Sequence, residues 1–245
     1  MAKQVWKFEP TNRWVRTTFQ GETIADSKQA VLMIESRREL DYYFPLADVR
    51  QDLLSESDHT QTSGYRGLRR FWHVRVGDHL AENAAWTYEP QRKRPDLSGY
   101  IAFDWNAMDR WYEEDEEVFL HARHPYHRVD TIKSRRHIEV IIDGVKVADT
   151  TQPYLLFETG IKTRYYIARQ DVEMDLLTPT ETQSICPYKG VASYYAVQVN
   201  GETYTDAVFS YPDPIPETPK IKGLLSFWPE KDKRIQILVD GESQS

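Results

Sequence analysis

The chain has 245 residues, 40% of them hydrophobic, which suffices for one large or two small cores without staples. A formal net charge of −7 argues against nucleic acid or an anionic membrane as the main partner, since both reward a basic surface. The single cysteine, Cys186, excludes an internal disulfide. The start MAKQVWKFEP lacks the apolar stretch of a signal peptide, and runs such as Ile138 to Ile142 are far short of the roughly 20 residues that span a bilayer. A soluble protein of a reducing, cytoplasmic compartment is expected.

Compared with itself at a shift of 123 residues, the chain shows two diverged copies of one unit. GETIADS (Gly21 to Ser27) falls on GVKVADT (Gly144 to Thr150), and Leu32, Met33, Ile34, Glu35 fall on Leu155, Leu156, Phe157, Glu158. Tyr42 and Tyr43 meet Tyr165 and Tyr166, and Asp48 meets Asp171. Tyr65, Arg66, Gly67 meet Tyr188, Lys189, Gly190, and Trp86 and Tyr88 meet Phe209 and Tyr211. After a small slip, Gly99 and Phe103 meet Gly223 and Phe227.

In chain order, residues 1–104 form the first copy, with one short helix at Asp48 to Leu54 that Asp48 caps. Residues 105–132 read as a connector: Trp105, Met108 and Trp111 or Tyr112 share a helical face over Trp105 to Glu117, followed by an acidic run and the segment His121 to Asp130. Residues 133–245 form the second copy. There His137 to Ile142 alternates apolar and polar before an Asp143-Gly144 turn, and Val145 to Ala148 completes the hairpin. Leu155 to Phe157 and Tyr165 to Ile167 are further strands. A second short helix, capped by Asp171, spans Asp171 to Leu177. Ser193 to Val199, the Asn200-Gly201 turn and Ile235 to Val239 complete the unit. The expected fold class is all-β with minor α: two tandem units of short antiparallel strands joined by a helical connector.

ETG (Glu158 to Gly160), YYI (Tyr165 to Ile167), CPYKG (Cys186 to Gly190) and SYPDPIPE (Ser210 to Glu217), in that order, resemble domain-of-unknown-function family 427. The likeness covers both copies, as in two-domain members of that family. It implies two β-tent units of the Mss4-like class. Relatives in that class often hold zinc with two pairs of cysteines, which one cysteine cannot supply. The family is sometimes labelled nucleotidyltransferase-like, yet the chain has no Gly-rich phosphate loop and no paired Asp metal site. No metal, nucleotide or other cofactor is expected.

Four residues are candidates for chemistry. Cys186, Tyr188 and Lys189 share a loop that Pro187 stiffens and Gly190 ends. An ammonium near the thiol favours thiolate, a nucleophile; the plain alternative is a buried packing cysteine with Lys189 in an ion pair. A cation recurs in the first copy as Arg66, whereas Cys186-Pro187 becomes Ser63-Gly64, so the cation is expected to hold an anionic or carbonyl group. Glu158 recurs as Glu35 at a strand end, where burial suits a carboxylate to acid–base work; an ion pair with Lys189 or Arg164 is the alternative. Tyr165, Tyr166, Tyr195, Tyr211 and Trp228, with Arg66 and Glu35, are candidate substrate contacts, though strand alternation lets only one of each pair Tyr165/Tyr166 and Tyr194/Tyr195 face a given pocket. His121, His124 and His127 recur every third residue, but Pro125 disfavours the helix that would converge them, and a polar connector is favoured over a metal site. His124, Tyr126 and Arg128 are placed near the site. The expected function is cofactor-independent chemistry on a small organic molecule, with a non-catalytic binding module as the alternative.

Overall fold

Among the described residues, four dipeptides carry both residues in the left-handed region: Gln20-Gly21 (φ 50° and 77°), Asp143-Gly144 (50° and 80°), Asn200-Gly201 (52° and 79°) and Asp240-Gly241 (53° and 86°). This backbone matches the right-handed twist of two flanking strands, so each makes a tight hairpin. The computed structural model describes residues 6–35, 40–63, 67–90 and 96–244, and it divides into two units, Met1–His124 and Pro125–Ser245.

The first unit contains β1 (Trp6–Pro10), β2 (Val15–Phe19), β3 (Glu22–Ser27), β4 (Val31–Glu35), β5 (Asp41–Pro45), β6 (Leu54–Ser63), β7 (Gly67–Val76), β8 (His79–Tyr88), β9 (Tyr100–Phe103), β10 (Arg110–Glu113) and β11 (Glu116–Val118). They form a seven-stranded sheet, β1-β4-β5-β9-β8-β7-β6, and a four-stranded sheet, β11-β10-β2-β3. The second unit contains β12 (Val129–Lys133), β13 (Ile138–Ile142), β14 (Val145–Thr150), β15 (Tyr154–Glu158), β16 (Arg164–Tyr166), β17 (Leu177–Cys186), β18 (Gly190–Val199), β19 (Glu202–Ser210), β20 (Leu225–Phe227), β21 (Ile235–Val239) and β22 (Glu242–Ser243). Its sheets follow the same order, β12-β15-β16, then β20-β19-β18-β17, and β22-β21-β13-β14. The first two are joined where Ile167 and Leu225 exchange both backbone hydrogen bonds, at 2.8 and 2.9 Å.

The repeat is therefore one of hydrogen-bond register. Trp6 pairs with Glu35 as Val129 pairs with Glu158, and Ala25 bridges Val49 as Ala148 bridges Val172. In the second unit Ile138, Val140, Leu155, Tyr165, Val197 and Phe227 meet in the core between the two layers. A second cluster, Leu156, Tyr166, Ala192, Tyr194, Tyr211 and Ile221, covers the other face of the larger layer. Alternation along β16 and β18 separates the tyrosine pairs: Tyr165 and Tyr195 go with the first cluster, Tyr166 and Tyr194 with the second.

Two sequence expectations are corrected. No helix forms over Trp105 to Glu117. That stretch holds β10 and β11, and the apolar spacing of three arises because Trp105, in the turn after β9, stacks on Trp111 of β10 at 4.4 Å and 6°. Each short helix is instead a pair of 3-10 turns, Leu46–Asp48 with Gln51–Leu53 and Arg169–Asp171 with Met174–Leu176. Val49 and Val172, bridged to the neighbouring strand, hold the backbone extended between them. Asp48 and Asp171 cap nothing: they accept the hydroxyls of Ser27 (2.6 Å) and Thr150 (2.7 Å). Among the described residues no helix is long and apolar enough to cross a membrane.

Leu156, fully buried in the second cluster, measures how much the outer face contributes. Leu156→Ala is expected to cost about 2–5 kcal/mol, read as a lower urea midpoint for the second unit's unfolding.

Candidate functional site

The loop between β17 and β18 owes its position to Gly190. Gly190 has φ 99°, and a Cβ there would lie 3.3 Å from the carbonyl oxygen of Asp213. Only glycine lets the two backbones approach this closely at that φ. Around it Ile215 N donates to Lys189 O at 3.1 Å and Lys189 N donates to Cys186 O at 3.2 Å, so the CPYKG loop is tied to the Pro-rich segment after β19.

This anchorage sends Lys189 inward. Its side chain is 10% exposed and its ammonium donates to Oε2 of Glu158, whose side chain is 6% exposed. Oε1 of the same carboxylate lies 2.9 Å from Nε2 of His127. The His127 ring, 18% exposed, stacks on Tyr188 at 3.9 Å and 20°. Three chain segments thus meet: the approach to β12, the end of β15 and the β17–β18 loop.

Behind the carboxylate lies the outer cluster. Cys186, a free and partly buried thiol, packs against it beside Tyr166 and Tyr211. Burial first, and then the Glu158 and Cys186 charges, push the Tyr166 phenol far above its ordinary range; burial and neighbouring Tyr166 do the same for Tyr211. The Tyr166 hydroxyl is buried with no hydrogen-bond partner among the described residues. Its counterpart Tyr43 accepts the indole N–H of Trp86 at 3.1 Å, but Phe209 stands where Trp86 does and has no N–H to give. Trp228 completes an aromatic triangle with Tyr194 and Phe209, at 6.3 Å from each.

Of the sequence candidates, Glu158, Lys189 and Tyr188 come together, with Cys186, Tyr166, Tyr211 and Trp228 in the adjoining cluster. Tyr165 and Tyr195 do not; the Tyr195 hydroxyl accepts from Arg169 at 2.6 Å on the opposite face. Arg66 and the Glu35 side chain lie outside the described residues. His127 was legible only as one of three weakly patterned histidines. The signal that finds it is pairing: β12 opens at Val129, opposite Glu158, so a residue two places earlier shares that face. His121 uses its Nδ1 on the Ala122 carbonyl at 2.8 Å.

Two other features lie apart from this centre. His137, Glu139 and Asp149 offer ligand atoms all within 4.8 Å of one another, but the Lys146 ammonium already sits 2.5 Å from Glu139 and 2.8 Å from Asp149. Lysine takes the place of a cation there. A cleft of about 270 Å³ in the second unit is lined by Tyr165, Arg164, Glu230, Ile237 and others, and includes neither Glu158, Lys189 nor His127.

Gly190→Ala is expected to cost about 1–3 kcal/mol through forced left-handed backbone and the Asp213 contact, measured by thermal unfolding. Glu158→Gln, which leaves the Lys189 ammonium buried without its anion, is expected to cost about 3–5 kcal/mol in the same assay. Because the folded-state phenols of Tyr166 and Tyr211 titrate above their unfolded values, stability is retained up to the ordinary tyrosine pKa of about 10 and falls as pH rises beyond it. Absorbance titration near 295 nm should show these two phenols ionising only with unfolding.

No curated protein matches the chain. The family described as Domain of unknown function (DUF427) matches residues 7–114 and again residues 130–241, one match in each unit. With nearly the whole sequence so matched, and twice over, the chain belongs to the DUF427 family as a two-domain member.

Proposed function

We propose that the second unit is a cofactor-independent acid–base enzyme, or a domain derived from one, acting on a small anionic or carbonyl-bearing molecule in the cytoplasm. The observation that carries this reading is the Glu158 carboxylate shared between Lys189 and a partly exposed His127. A carboxylate that accepts a hydrogen bond from Nε2–H fixes the imidazole tautomer, leaving the Nδ1 lone pair as the basic site. Lys189 holds Glu158 in place, and Tyr188 holds the ring by stacking. In this scheme His127 moves the proton, Glu158 and Lys189 position it, and Cys186 and the Tyr166 hydroxyl are the second polar groups within the same neighbourhood.

The pairing of Lys189 with Glu158 favours a second reading, a binding module in which the ion pair only fastens the loop. The two are separated by incubating the protein in D₂O with small keto acids, esters and aldehydes and following deuterium incorporation and product masses. The enzyme reading expects turnover of at least one compound, reduced about 10²–10⁴-fold in His127→Gln with an unchanged melting temperature. Ligand-induced thermal stabilisation with no turnover of any bound compound overturns it in favour of the binding module.

A further inference from the structure

The second unit's cleft has a history written in the first unit. Trp111 pairs with Thr17 in β2 as Ile237 pairs with Val140 in β13, and Phe103 pairs with Ala85 as Phe227 pairs with Val208. Two residues beyond those phenylalanines stand Trp105 and Pro229. In the first unit the indoles of Trp105 and Trp111 stack on each other at 4.4 Å and 6°, and Trp111 stacks in turn on Tyr42 at 6.2 Å and 29°. The second unit keeps the platform, Tyr165, and replaces both indoles by Pro229 and Ile237. These residues line the cleft of about 270 Å³ together with Phe227 and the charged Arg164, Glu230 and Lys162.

We infer that this cleft is a binding site for a planar aromatic molecule of about indole size bearing an anionic group. The ring takes the place of the missing indoles against Tyr165, between the apolar walls of Phe227, Pro229 and Ile237. The Tyr165 hydroxyl lacks the carboxylate that serves its counterpart, because Val239 stands where Glu113 accepts the Tyr42 hydroxyl. The anionic preference comes from the charged lining. Arg164 pairs with Glu230 at 2.7 Å and exposed Lys162 also acts on Glu230, so two cations stand against one carboxylate and leave a single net positive charge. The site is separate from the His127 centre, whose residues do not line it.

Indole-3-acetate is the probe, titrated by calorimetry and by amide chemical shifts, with indole and tryptamine as comparisons. Saturable binding is expected, with shifts at Tyr165, Phe227 and Ile237, and weaker binding of neutral indole and of cationic tryptamine. Ile237→Trp restores the first unit's filling and is expected to weaken indole-3-acetate more than about tenfold. Should that variant fail to fold, Lys162→Glu, an exposed change, is expected to weaken indole-3-acetate about fivefold while leaving indole unchanged. No saturable binding by wild type, binding that survives Ile237→Trp in a folded protein, or an equal loss of indole and indole-3-acetate in Lys162→Glu overturns the assignment.

Discussion

A carboxylate that is only 6% exposed has to be answered by cations and hydrogen-bond donors, and in the second unit the answer decides where three segments of chain go. Lys189 reaches Glu158 only because Gly190 lets its loop lie against the backbone at Asp213. His127 reaches the other oxygen only because β12 pairs with β15 in a register that starts at Glu158. Tyr188 then has a ring to lie against. Remove the carboxylate and none of these placements has an electrostatic reason to persist.

The two units show how one register accommodates different interiors. Tyr43 and Tyr166 occupy the same place on the same strand, yet one phenol accepts an indole N–H and the other accepts nothing among the described residues. Arg69 lies 3.7 Å over the Trp86 ring, while the corresponding Ala192 contributes only a methyl group. Glu113, buried in the first unit and bonded to exposed Arg13 and buried Tyr42, becomes Val239. Backbone pairing depends little on such exchanges, so chemistry has drifted while the ladders have not.

Much of the scaffold was legible because it depends on local patterns. A Gly after Asp or Asn between alternating strands specifies a hairpin, and the recurrence at a fixed shift specifies a duplicated unit. What is not legible depends on pairing between distant segments. Trp105, Met108 and Trp111 imitate a helical stripe, and nothing local says that Trp111 lies beside Thr17 in β2. His127 is likewise uninformative until β12 is known to pair with β15. The loop cation is legible from its recurrence, but the sequence leaves Glu158 two cations to pair with, Lys189 or Arg164, since an ion pair is set by three-dimensional approach.

The pairing of each unit's first hairpin with its closing strand bears on how the chain comes to be folded. Val15 meets Glu113, and Ile138 meets Val239, so each four-stranded layer joins residues about a hundred positions apart. Such distant contacts form late, after loop closure has been bought by the nearer ladders. During synthesis the first unit has all its strands once β11 has emerged from the ribosome, and can close before the second is complete. The second then waits on β21 with one backbone edge of β13 unpaired. A nascent chain halted before Ile235 would therefore carry Ile138 to Ile142 as an open strand edge, paired to β14 on one side and to nothing on the other.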